Sequence, residues 1–494
     1  MPGLVWKNIN GDKRLVLRWK KRINGKLKTT REIYIGDMDR LADMITNPMK
    51  DAHVITLDFG TTAFVRMVEQ RIGLKDIVDK VMVHKGDGMS PGDYVLLFIM
   101  NRLSDPVSKN AIERWMVNDY ASTIYRKRGS QDFWNLMDRF TDGDIKTIMD
   151  SIRDKVSALG YDFTNMFVDA SNMYTFMEEN DMARKGHNKK HRYDLNQISY
   201  YIAANYDYIP LYGESYAGNV HDSRTFESII SNMPENSTLI FDRVYNSKSN
   251  IDLISGRRYI GALKQSDHHG IMKLKVERDS HIELTKNVYG RDHRIILYHS
   301  SSLEKRRREK FMKRMEGVIL KAKKIMESGD SDSMEKARIY LETEKLNETI
   351  LLPSVETDQN RMDERLSMMG KNAIFTNIMD MDAENIIDLY KKRNRVEHCF
   401  RTINTMGIAF PVYHWTPQKI RVHMFFSLLA YLFLALIRMT VKPVMDLYLT
   451  TVQEVISTIR IVYITRGKSV DVKLSSGDER ALRIMEKFDL VKMI

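Results

Sequence analysis

Two short apolar runs constrain this chain more than anything else in it, because each stops on an aspartate. "NMFVDAS" (165–171) and "STLIFDRVY" (237–245) are too short for helices and rich in branched and aromatic side chains, so both read as buried strands. Strands apolar on both sides belong to sheets covered by helices on both faces. Ligand sites of such sheets gather at the carboxyl ends of their strands. If these two strands are neighbours, Asp169 and Asp242 converge at one edge.

The surrounding pattern supports an α/β layer. "QISYYIAANYDYIPLYGESYAGN" (197–219) reads as two strands turning near Tyr206-Asp207, "DSRTFESIISNM" (222–233) as a helix capped by Asp222, and "RRYIGALKQ" (257–265) as another strand. Residues 270–300 then read as hairpins and 302–348 as charged helices. The strand pattern resumes at "KNAIFTNI" (371–378), and one helix is expected from about Glu384 to Thr405. The layer is therefore expected in two parts, 161–265 and 371–435, separated by an insertion at 266–370. Ahead of it lie a basic, β-rich segment (1–50), which turns at Asn24-Gly25, and a helical segment (51–160). A C-terminal region (436–494) follows.

Charge narrows the partner. The chain of 494 residues carries a formal net charge of +12 and a pI near 9.3, which favours a polyanion. The basicity is concentrated in 1–31 and in "EKRRREKFMKRMEGVILKAKK" (304–324). Cys399 is the only cysteine, which excludes a disulfide framework and a thiolate zinc site and suits a reducing compartment. The N-terminus has no apolar core of a signal peptide. The longest apolar run, "MFFSLLAYLFLALI" (424–437), is short for a bilayer and is expected as a buried core helix.

A third acid sits in "YKKRNRVEHCF" (390–400). At 100° per residue, Tyr390, Arg393, Glu397, Arg401 and Asn404 share one helical stripe, flanked by the apolar Leu389, Val396, Phe400 and Ile403. The acid is thus expected in a cleft beside the core. Three carboxylates without cysteine suit Mg²⁺ or Mn²⁺, and two such ions about 4 Å apart serve phosphodiester chemistry.

The spacing Y-x2-R-x3-E, here Tyr390, Arg393 and Glu397, resembles the signature of DDE transposases of the insertion-sequence-four superfamily, in the branch with a long insertion. That signature continues as E-x6-K, whereas this chain has Asn404 there, with Arg401 one turn earlier as a possible substitute. Six further stretches resemble the same group, in its order: "NRLSDPVSKNAIERW" (101–115), "FVDAS" (167–171), "GHNKKHRYDLNQI" (186–198), "GNVHD" (218–222), "FDRVYNS" (241–247) and "PVYHWTPQKIRVHMFFSLLA" (411–430). The resemblance implies an RNase H-like catalytic domain, a mixed sheet flanked by helices, with Asp169, Asp242 and Glu397 as catalytic and metal-binding acids. It implies double-stranded DNA, both transposon ends and target, as the partner, a homodimer in the synaptic complex, and a cytoplasmic, nucleoid-associated location without membrane attachment. Tyr390 and Arg393 inherit DNA positioning, and the basic loop with Lys189, Lys190 and Arg192 is expected on the DNA backbone. His187 and His191 in that loop suit zinc only if helical, and Gly186 argues against a helix there. Two alternatives stay open: a nuclease that does not join strands, and an inactive DNA-binding descendant.

Overall fold

The computed structural model describes residues 2–9, 11–23, 26–47, 52–83, 88–126, 129–186, 194–328, 332–410, 412, 414–466 and 469–494. Strands β1 (Pro2–Ile9), β2 (Asp12–Ile23) and β3 (Lys26–Gly36) form an antiparallel sheet. The expected turn at Asn24-Gly25 lies outside the described residues, although Ile23 and Lys26 pair across it. After β4 (His53–Asp58) the chain becomes helical. The helix Pro91–Ser104 starts at a Ser-Pro pair: Ser90 and Asp93 close a capping box and Pro91 occupies the first turn.

The central sheet is built from β5 (Asn165–Thr175), β6 (Asn196–Ala204), β7 (Pro210–Ala217), β8 (Thr238–Phe241), β9 (Tyr259–Ala262), β10 (His281–Val288) and β11 (Arg291–His299). The short pair β12 (Ile350–Leu351) and β13 (Glu356–Thr357) stands apart, and β14 (Lys371–Thr376) completes the sheet. Its order is β10-β11-β14-β9-β8-β5-β6-β7. β5 and β8 run parallel, as do β8 and β9, and the other neighbours are antiparallel.

This topology corrects one boundary. β10 and β11 fall in the segment expected as an insertion from 266, yet they extend the main sheet through β14. The reason is burial: Ile295, Ile296 and Leu297 are fully buried, and consecutive apolar residues on opposite faces of a strand need cover on both sides. The part with a core of its own is narrower. It comprises helices Ser301–Met326, Ser333–Thr343 and Gln359–Ser367 and the β12–β13 pair, packed around Met315, Val318, Leu341 and Ile350.

Alternation along the strands divides the core in two. Phe167 and Ile240 face one side with the helices Asn394–Thr405 and Pro417–Val441, whereas Val168 and Phe241 face the other with Phe226, Ile229 and Ile251. The first side is continuous with the N-terminal helices through Phe64, Phe98 and Phe133.

The apolar run at 424–437 belongs to a helix of 25 residues, Pro417–Val441. Thr416 caps it and Pro417 opens it, so it extends past the run on both sides. Length therefore does not set it apart from a membrane span. Its surroundings do: 89% of its most apolar window is buried inside the protein. Near the C-terminus lie β15 (Arg460–Arg466) and β16 (Ser469–Ser475), followed by the helix Glu479–Lys487, and β15 pairs with β4 from the far end of the sequence.

Against the helix Pro417–Val441 lies a buried polar cluster of Lys109, His414 and His423. Lys109 Nζ is 3.0 Å from His414 Nε2 and 3.1 Å from His423 Nδ1. Burial, then the charge of Arg102, holds the Lys109 ammonium well below its usual pKa.

Candidate active site

Strand register assembles the first two acids. In the parallel β5–β8 pair, Val168 lies opposite Phe241, so the next residues on each strand, Asp169 and Asp242, are side by side. β5 does not end at Asp169, because it continues to Thr175 against β6. Only its parallel partner stops there. Alternation then sends both aspartates to the side that carries Phe167 and Ile240, the side covered by the helix Asn394–Thr405.

The third acid arrives on that helix, with a difference from the sequence reading. The expected single helix is two, Ala383–Lys391 and Asn394–Thr405. Between them the amides of Arg393, Arg395 and Val396 bond the carbonyls of Tyr390, Lys392 and Arg393, each three residues back. These tighter turns interrupt the 100° advance, so the stripe drawn from Tyr390 to Asn404 is not one straight line. The apolar positions hold nonetheless: Val396, Phe400 and Ile403 are buried and Leu389 packs against the same core.

Arg393 sits at the joint, and its guanidinium gathers all three acids. Nη1 is 3.4 Å from Asp169, and Nη2 is 3.9 Å from Asp242 and 3.2 Å from Glu397. The side chain of Arg393 is 13% exposed, that of Asp169 6%, Asp242 33% and Glu397 49%. The cluster thus runs from a dry floor at Asp169 to a wet rim at Glu397. Burial opposes the charge of Arg393, yet Asp242, Tyr390, Asp169 and Glu397 hold its pKa above the ordinary value. Its Nε is buried and has no hydrogen-bond partner among the described residues. Tyr390 belongs to the same group, its ring centroid 5.9 Å from the guanidinium carbon. Burial raises its phenol to about 12, with Arg393 lowering and Asp242 raising it.

Other expected residues lie elsewhere. Arg401 is exposed and lines a separate cavity of about 460 Å³ with Tyr208, His398 and Tyr448. Asn404 is half-buried, with an amide oxygen that has no partner among the described residues. Lys189, Lys190 and Arg192, with His187 and His191, lie outside the described residues. The remaining cations of "YKKRNRVEHCF" are engaged with aromatic rings. Arg395 lies 3.7 Å and Lys392 5.0 Å from the Tyr206 ring, and Lys391 5.7 Å from that of Tyr298. Sequence reasoning missed Arg243 and Arg307, which meet beside Asp242 on Asn372. Adjacency to Asp242 was the available signal for Arg243, whereas Arg307 was hidden in a run of similar residues.

The donor chemistry fits a hard cation, since the three acids offer oxygen alone and no thiolate is near. Among the described residues no group of three or more His, Cys, Asp or Glu side chains is placed so that it could hold a metal ion. The positive charge among the three acids is that of Arg393.

A family profile described as Transposase DDE domain matches residues 163–433. The span takes in Asp169, Asp242, Arg393 and Glu397. Among solved structures, the chain is similar to a piggyBac transposase synaptic complex with hairpin DNA determined by cryo-EM, at TM-score 0.38 and 7% identity over 81% of this chain and 78% of that one. No curated protein sequence matches the chain.

Proposed function

The chain belongs to the transposase DDE domain family, and from that premise we propose that it binds the ends of an insertion sequence, cleaves DNA and joins the freed 3′ ends to target DNA. The observation that carries this reading is the convergence of Asp169, Asp242 and Glu397 on Arg393. The finer fold assignment, an RNase H-like domain, is supported by the order β7-β6-β5-β8-β9, in which three antiparallel strands precede two parallel ones.

The three carboxylates are the residues to hold Mg²⁺ or Mn²⁺, and two such ions would supply an activated oxygen nucleophile and charge stabilisation at the leaving oxygen. The protein's own groups do the positioning. Asp169 is held in its strand, and Glu397 stands half-exposed at the rim. Arg393 offers a planar donor fork that matches a phosphate as well as it matches carboxylates. A DNA phosphate would compete with the acids for that fork, leaving Asp169, Asp242 and Glu397 available to hold a cation. Tyr390 walls the site beside Asp242. The synaptic assembly is a homodimer on two ends.

The nuclease reading differs in one product. A pre-cleaved end with a free 3′-hydroxyl, incubated with supercoiled plasmid and Mg²⁺, is expected to become covalently joined to the plasmid. Cleavage of intact ends with no joined product would favour the nuclease.

A further inference from the structure

Beside the acids stands a pair of cations that, among the described residues, form no ion pair. Arg243 follows Asp242 at the end of β8, and its Nη2 donates to Asn372 Oδ1 at 3.3 Å. Arg307, from the long basic helix Ser301–Met326, donates to the same oxygen from its own Nη2 at 3.1 Å and from Nη1 to Lys371 O at 3.2 Å. Two guanidiniums therefore meet on one neutral amide oxygen. Asn372 is fixed for this, since its Nδ2 donates to Tyr298 Oη at 3.2 Å. Among the described residues neither arginine has a carboxylate within ion-pair distance, whereas Arg393 close by has three.

This arrangement is unfavourable in the protein by itself. Both arginines are half-buried, which weakens solvent screening of their repulsion. Arg307 is held below its usual pKa by burial and then by the charge of Arg243. Arg306 adds a third like charge next in sequence. The acceptor that the two cations share is a single neutral amide oxygen. What the pair lacks is an anion with several acceptor oxygens, able to take donors from two forks at once.

We infer that Arg243 and Arg307 form a phosphate site that grips the DNA backbone beside the acid triad, making the helix Ser301–Met326 part of the DNA-binding surface. The inference rests on the DNA-processing reading above and extends it to two residues and to one face of the inserted segment. Arg243 anchors the site to the strand that carries Asp242, and Arg307 closes it from the opposite element. One phosphate bridges the two, so neither arginine holds it fully without the other.

The test is the salt dependence of binding to a short duplex of arbitrary sequence, measured by fluorescence anisotropy for the wild type, R243Q, R307Q, the double variant and R307K. Each neutralised phosphate contributes about 0.9 to the slope of log K against log salt. R243Q and R307Q are each expected to lower the slope by about that amount, the double variant by no more than either, and R307K to keep the wild-type slope. Thermal unfolding of the free R307Q protein is expected to stay at or above the wild-type temperature, because a repulsion is removed. An unchanged slope in variants of a wild type that binds steeply would overturn the inference and leave the proposed function standing. So would a lower unfolding temperature with an unchanged slope, which is the signature of a tether alone. Additive slopes in the double variant would mean two separate phosphates and would refute the shared site. Absence of salt-dependent DNA binding by the wild type would remove both readings.

Discussion

Replacing Arg393 with glutamine deletes one charge and leaves three carboxylates facing one another. The cost follows from where each partner sits. Asp169 is the dry one, at 3.4 Å with a side chain 6% exposed, and removing one member of a buried pair costs about 3–5 kcal/mol. Glu397, at 3.2 Å, and Asp242, at 3.9 Å, are 49% and 33% exposed. Solvent screens them, and each adds at most about 1 kcal/mol, the scale of surface pairs. Arg393 also gives up the burial of its own unpartnered Nε, which offsets part of the loss. The expected net destabilisation is about 3 kcal/mol. Urea unfolding of Arg393→Gln, followed by both fluorescence and circular dichroism, measures it, with the two probes guarding against a populated intermediate. A second signature separates charge from packing: Mg²⁺ should stabilise the variant more than the wild type, because the acids no longer have a guanidinium to compete with the ion. A loss below about 1 kcal/mol, the surface-pair level, together with no differential effect of Mg²⁺, would refute the view that Arg393 organises these acids.

Two further outcomes test the core. Burial, then the charges of Lys109, Lys419 and Arg102, pushes His414 down to about 3 from an ordinary 6.5. The unfolded chain therefore takes up this proton first, so the stability is full above pH 6.5 and is lost as pH falls toward 3, by about 1.4 kcal/mol per unit; His414→Gln should flatten the urea-measured slope between pH 6 and 4 by about one proton, and an unchanged slope would contradict the assignment. Phe426 packs edge-on against Phe98 and Phe140, so Phe426→Ala should cost about 3–5 kcal/mol in chemical denaturation, whereas a loss under about 1 kcal/mol would mean that the Pro417–Val441 helix is not packed as described.

What was legible in the sequence follows the range of the interactions involved. The strands that bear Asp169 and Asp242 were legible because burial on both faces leaves a dense apolar run; Asp242 marks the end of β8, whereas β5 runs on past Asp169 to Thr175. Parallel register, which sets Asp169 beside Asp242, is a pairing between distant segments and leaves no trace in either strand alone. The break at Arg393 was invisible because lysine and arginine favour helices as well as any neighbour there; packing against the sheet overrides that preference. The pairing of β4 with β15 joins residues far apart in the chain, and residues 53–58 were expected within a helical segment. Arg307 was lost among equals: a run of ten cations does not say which one turns inward.

The central claim is that Asp169, Asp242 and Glu397 act together on DNA. Its most direct test is cleavage of a duplex containing the sequences that flank the coding gene, in Mg²⁺ and in Mn²⁺, by the wild type and by Asp169→Asn, Asp242→Asn and Glu397→Gln, with DNA affinity measured on the same preparations. The account predicts that each substitution abolishes strand cleavage while DNA binding persists. Cleavage at the wild-type rate by any one of the three would contradict it.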